Sequence, residues 1–208
     1  MIYGALEAGG TKMICAVCKE NGEILEQCSI PTREPEITVP EIISFFKDKN
    51  IASLGVACFG PIDLDKDSPT YGYITATPKL KWQNYPLLPI LKEALSVPMG
   101  FDTDVNGSLL GELTYGESQG IENAVYITIG TGIGGGVCAN GRLLHGMLHP
   151  ELGHMKMVPH KKDSFQGVCP FHKSCFEGMA SGPAIEARYG KKGAELFEET
   201  SVWEIEAY

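Results

Sequence analysis

The sequence predicts an α/β protein built from two related halves. Two observations carry this. Short apolar runs of strand length alternate with stretches whose apolar residues recur at helical spacing. And the N-terminal order of strand, glycine-containing turn, strand, Asn-Gly turn, strand recurs after residue 124, an internal architectural repeat. The 208 residues suffice for one or two domains with a real core.

In the first half, Ile2 to Leu6, Met13 to Cys18 and Ile24 to Ile30 read as strands, with Asn21-Gly22 marking a hairpin between the last two. Thr38-Val39-Pro40-Glu41 has capping-box spacing and predicts a helix through Ile42, Ile43, Phe45 and Phe46. Leu54 to Phe59 reads as a strand, Leu87 to Leu95 as a helix, and Met99 to Asp102 as a strand. Asp104 opens a helix running to about Gly116. The polar stretch Gly116 to Asn123 predicts a boundary between domains at 1–118 and 119–208. In the second half, Val125 to Ile129 and Val137 to Ala139 read as strands around a turn spanning Gly130 to Gly136. Ser181-Gly182-Pro183 leads into a helix to Tyr189. A last capping box, Ser201-Val202-Trp203-Glu204, stops at Tyr208 after about two turns, a length marginal for a helix, and gives the expectation that the chain is cut short.

Composition excludes several classes. With a net charge of -9, the chain lacks the basic surface of a general nucleic-acid binder, and a role on anionic membranes is disfavoured. No apolar run approaches the roughly 20 residues of a membrane span, and no basic and apolar leader precedes the first strand, so the expectation is a cytoplasmic protein. The seven cysteines do not form a disulfide framework. Cys15 and Cys18 lie three apart in a strand, where they face opposite ways, and read as core.

Chemistry concentrates in a few places. His154, Cys169, His172 and Cys175 make four soft or borderline ligands, the number a closed structural zinc site needs, and Glu151 and Glu177 flank them. Ala8 to Lys12 and Gly130 to Gly136 are glycine-rich turns, one per repeat, in which backbone N–H groups can approach phosphate oxygens closely. Neither fits a Walker or a dinucleotide-binding pattern. Asp104, at a helix start, can serve as an N-cap or as a general base. Asp63-Leu64-Asp65-Lys66-Asp67 imitates a calcium loop, but Ser68 and Ile74 stand where the glycine and the bidentate glutamate belong.

Glu7 to Lys12, Phe59-Gly60-Pro61, Asp102 to Asn106, Gly130 to Gly136 and the Glu151-to-Glu177 block, in this order, resemble the ROK family (repressors, open reading frames and kinases), and within it the zinc-containing bacterial fructokinases. The resemblance implies an actin-like ATPase (ribonuclease H-like) fold, with two α/β domains around a cleft and the second domain truncated here. It implies transfer of phosphate from ATP, with Mg²⁺, to a hexose, here D-fructose, giving fructose 6-phosphate. Asp104 is then the catalytic base, and Glu151, His154 and Glu177 line or support the sugar site. Gly10, Thr11, Lys12, Thr131, Gly132 and Pro183 lie against ATP, and His154, Cys169, His172 and Cys175 hold a structural Zn²⁺. A homodimer is the family's habit. Many members have Asp at the position of Glu7, where a longer carboxylate could still reach Mg²⁺ through water, and the role of Glu7 is left open. Many have Asn at the position of Thr103, so sugar contacts there are expected to differ. Another hexose (glucose, mannose or N-acetylmannosamine), a sugar-responsive regulator and a non-catalytic sugar-binding fragment remain the alternatives.

Overall fold

The computed structural model describes residues 1–146 and 150–196. The capping box at Ser201 lies outside these residues. The chain divides into two compact units, Met1–Ala124 with Val137–His149, and Val125–Gly136 with Pro150–Tyr208. The boundary therefore falls at Ala124/Val125 rather than 118/119, and the hairpin segment after Gly136 joins the first unit. Among the described residues, no helix is long and apolar enough to cross a membrane.

The first unit is a five-stranded sheet with helices. Strands β1 (Ile2–Ala8), β2 (Lys12–Lys19) and β3 (Ile24–Pro31) form an antiparallel meander, and β4 (Leu54–Cys58) and β5 (Met99–Thr103) add in parallel, giving the order β3-β2-β1-β4-β5. Helices α1 (Pro35–Phe46) and α2 (Leu87–Leu95) supply the crossovers that parallel pairing requires. Leu6, Ala8, Leu54, Val56 and Cys58 share a buried cluster with Val39, Ile42 and Phe46 of α1 and with Leu87 and Leu91 of α2. Cys15 is buried within β2 while Cys18 is only half-buried.

The other face of the sheet is built for close approach. Ala5, Gly55 and Gly100 stand in one cross-strand row, and Glu7, Ala57 and Asp102 in the next. Helix α3 (Asp104–Tyr115) packs against β1, β4 and β5. A β-carbon on Gly107 of α3 would lie 2.5 Å from the Ala57 β-carbon, so glycine lets the helix sit nearly on the sheet.

The start of one helix and the cap of another differ from expectation. Helix α1 begins at Pro35, with Glu34 extended before it, and Thr38 N–H closes the first turn on Glu34 O at 3.0 Å. A proline at the first helical position is pre-set for a helix and gives up no needed donor. Thr38 is thereby inside the helix, where its hydroxyl accepts from Arg33 N–H at 3.0 Å. The cap of α3 is Thr103, whose Oγ1 accepts from Asn106 N–H at 3.2 Å, and Asp104 is the first helical residue.

The remaining strands are β6 (Ala124–Ile129), β7 (Ile133–Ala139) and β8 (Arg142–Leu143), in the order β6-β7-β8. The second glycine-rich turn is thus shorter than the sequence predicts, because Ile133 to Gly136 already belong to β7. In the second unit α4 (Phe176–Ala180) and α5 (Gly182–Tyr189) follow a long segment without regular helix or strand beyond a short 3-10 turn at Leu152–His154. Apolar side chains of β6 stay exposed there, Val125 at 59% and Ile129 at 57%.

The seat of α3 gives a direct test. Gly107→Val should overpack the contact with Ala57 and lower stability by about 1–3 kcal/mol. Urea unfolding reads this as a lower midpoint, and an unchanged midpoint contradicts the close packing.

Candidate active site and metal centre

In the second unit the four expected metal ligands converge. The candidate ligand atoms of His154, Cys169, His172 and Cys175 all lie within 4.8 Å of one another. His154 Nδ1 is 3.9 Å from Cys169 Sγ and 3.7 Å from Cys175 Sγ, and His172 Nδ1 is 3.8 Å from Cys169 Sγ. Zinc bonds of about 2.0–2.3 Å imply tetrahedral edges of about 3.3–3.8 Å; these three separations lie near that range, and the donor set is one that could hold a metal ion.

The surrounding backbone favours thiolates. Burial opposes ionisation of Cys169, but N–H groups of His172 and Phe171 outweigh it and hold the thiol below its usual range. Burial pushes Cys175 up. Gly178 N–H points to Cys175 Sγ at 3.4 Å, as in a helix cap. The loop between the ligands is tied down separately. Arg188 of α5 donates to Asp163 at 2.8 Å and its guanidinium lies 4.3 Å from the centre of the Phe165 ring. This contact holds the Asp163 carboxyl below the usual carboxylate range.

The second glycine-rich turn is braced by the same unit. Glu177 Oε2 accepts from Ile133 N–H at 3.0 Å, and Gly182 N–H donates to Gly130 O at 2.8 Å. Thr131 and Gly132 are exposed, and Pro183 sits in the first turn of α5, which Ser181 caps. Glu177, expected to line or support the sugar site, thus braces with Oε2 the turn that carries Thr131 and Gly132. Glu151 leads into the 3-10 turn, where its carbonyl accepts from His154 N–H at 2.9 Å.

In the first unit, the first glycine-rich turn closes through Gly9 N–H donating to Lys12 O at 3.0 Å. A β-carbon on Gly9 would meet that oxygen at 2.6 Å, whereas one on Gly10 would meet only Lys79 Cε, at 3.4 Å. Thr11 and Lys12 are exposed beside it. Lys79, which sequence reasoning passed over, brings a cation across this turn.

Asp104 lines a 640 Å³ cavity together with Glu7, Asp102 and Ser108. Burial, and then the charge of Asp104, push the Cys58 thiol up. Immediately before Asp104 lies a network with no counterpart in the sequence reading. Asp102 Oδ1 accepts from Thr103 N–H and from Asn106 Nδ2, each at 2.8 Å, and Asp102 Oδ2 lies 2.7 Å from His145 Nε2. Asn106 is buried, and its Oδ1 has no partner among the described residues. An unpartnered buried carbonyl costs about 1–3 kcal/mol, so the amide's orientation is set by the carboxylate. Thr103, expected to alter sugar contacts, is instead buried and capping. Asp102 and Asn106 lay inside the motif around Asp104; nothing local in the sequence marks His145.

The ROK family model matches residues 3–205. The chain belongs to the ROK family. It is 47% identical over 212 residues to the fructokinase of Streptococcus mutans, covering 100% of this chain and 72% of that protein. It is 45% identical to the fructokinase of Lactococcus lactis, covering 99% and 70%. Among solved structures it resembles a ROK-family glucokinase from Streptomyces griseus, in complex with glucose and AMPPNP, with a TM-score of 0.74 at 26% identity, covering 97% of this chain and 64% of that one. The fold class is the α/β, actin-like one expected from the sequence.

The metal centre makes its own prediction. Elemental analysis of the purified protein should find about one zinc per chain. Chelation, or Cys175→Ser, should lower the thermal midpoint by several degrees. Zinc-free protein of equal stability would contradict the site.

Proposed function

We propose that the protein transfers the γ-phosphoryl group of ATP to a hexose, with D-fructose as acceptor and fructose 6-phosphate as product. The observation that carries the reading is the contrast in identity, 47% and 45% to two fructokinases against 29% to a glucokinase.

In this reading Asp104 is the base. Its carboxylate can orient the acceptor hydroxyl and take its proton. Phosphoryl transfer passes through a loose transition state, so orientation matters more than early deprotonation. The turn at Gly10, Thr11 and Lys12 and the turn at Thr131 and Gly132 present backbone N–H groups for phosphate oxygens. Pro183 lies on the nucleotide side, and Lys79 adds a positive charge at the first turn. Mg²⁺ accompanies ATP and neutralises charge on the transferring group; Glu7 is the carboxylate of this chain suited to bind a water on that ion. Glu151 and His154 face the sugar, and Glu177 supports them by fixing the second turn. The zinc ion does no chemistry: it substitutes for a core under the segment that carries His154.

A coupled ATP assay across fructose, glucose, mannose and N-acetylmannosamine tests this. Fructose should give the highest kcat/KM, by at least about tenfold, a difference of about 1.4 kcal/mol in transition-state stabilisation. Equal or better use of glucose would overturn the acceptor assignment.

A further inference from the structure

A further cavity of the first unit, of 840 Å³, shares Tyr71, Phe101 and Asp102 with the one that Asp104 lines, and its wall also includes Asp63, Thr75 and His145. Its character is that of a polyol site. Hydroxyl, carboxylate and imidazole groups share its wall with the rings of Tyr71 and Phe101, which stand edge to face with centroids 6.4 Å apart. A sugar presents the matching surfaces, hydroxyls around its rim and an apolar face of C–H groups.

The polar groups of this wall are not equally available. Asp63 is committed to its own loop, accepting from Ser68 Oγ and Thr70 Oγ1 at 2.6 Å each, which lowers its pKa. Asp102 is committed to Thr103, Asn106 and His145. His145 differs. Its side chain is 42% exposed, and one ring nitrogen, Nε2, is fixed by Asp102 at 2.7 Å. With Nε2–H donating to that carboxylate, Nδ1 is an acceptor; on a protonated ring it is a donor. A sugar hydroxyl satisfies either. The carboxylate behind the ring fixes its orientation before any ligand arrives, as carboxylates do for histidines that bind metals.

We propose that His145 is a specificity-determining residue of the acceptor site, contacting a hydroxyl of the hexose through Nδ1, with Asp102 as its positioning residue. The inference rests on the reading of the protein as a hexose-binding enzyme. It assigns one acidic side chain two tasks: Asp102 holds the imidazole with Oδ2 and, through Thr103 and Asn106, holds with Oδ1 the first turn of α3, which carries Asp104.

The experiment is titration calorimetry of the purified protein with D-fructose, alongside steady-state kinetics, for wild type, His145→Ala and His145→Gln. The exposed position of His145 leaves the fold intact, and thermal unfolding confirms it. His145→Ala should weaken fructose binding and raise KM for fructose about tenfold, with KM for ATP unchanged. His145→Gln, which restores an acceptor and a donor, should recover part of the loss. Asp102→Asn should show a KM effect like His145→Ala and, in addition, a lower kcat, because it also loosens the turn bearing Asp104. Unchanged fructose affinity in His145→Ala would overturn this proposal while leaving the kinase reading standing. Wild-type protein that binds fructose but transfers no phosphate would overturn the kinase reading alone, and His145→Ala would still be decided by its affinity. Wild-type protein that binds no hexose would overturn both.

Discussion

Asp104 stands where it does because α3 can lie almost on the sheet. Gly107 over Ala57 removes the side-chain layer that normally separates a helix from the strands beneath it. The row Ala5, Gly55 and Gly100 keeps the same face low. Because α3 follows β5 directly, its first turn stays at the end of that strand. Thr103 can cap it, and the Asp102 carboxylate can hold Asn106. The geometry of a single acidic residue thus rests on the absence of side chains a full helical turn away. The cost is visible too: Asn106 buries a carbonyl oxygen without a partner, which an apolar packing residue would not do.

The second unit solves a different problem. Its apolar content is partly spent on exposed positions of β6, and the stretch from Met155 to Cys175 has little to bury. Two thiols and two imidazoles brought within 4.8 Å of one another would, with a metal bound, supply an anchor of the kind small or loop-rich segments use in place of a core. The Arg188–Asp163 contact and the Phe165 stack fasten the loop a second time, to α5. Since α5 also bonds Gly130 through Gly182, and α4 reaches Ile133 through Glu177, the metal loop and the second glycine-rich turn share the same two helices as supports.

Much of this was legible in the sequence, and the reasons are local. The first sheet was readable because β1, β2 and β4 alternate or concentrate apolar residues, and α2 was bounded correctly at Leu87–Leu95 by its amphipathic spacing. The convergence of the Cys/His cluster was readable because Cys169, His172 and Cys175 are close in sequence and only His154 had to be added. The start of α1 was misread because two signals competed, a capping box at Thr38 and a proline at position 35. Proline won, since it also let Thr38 be buried. The bond from Ile133 N–H to Glu177 was not legible, because a carboxylate's partner can be a distant backbone N–H, and Ile133 is not marked as one. His145 was invisible for a related reason: its partner Asp102 is remote in sequence, and only the return of the segment after Gly136 to the first unit brings them together.

The claim on which the rest depends is that the first turn of α3 carries the catalytic base. Its most direct test is the turnover of Asp104→Asn, an isosteric change that keeps the packing of Gly107 and the cap of Thr103. Hexose affinity and thermal stability should stay near those of the wild type, while kcat with fructose falls about 10²–10⁴-fold. Near-normal kcat in a folded Asp104→Asn protein would contradict the account.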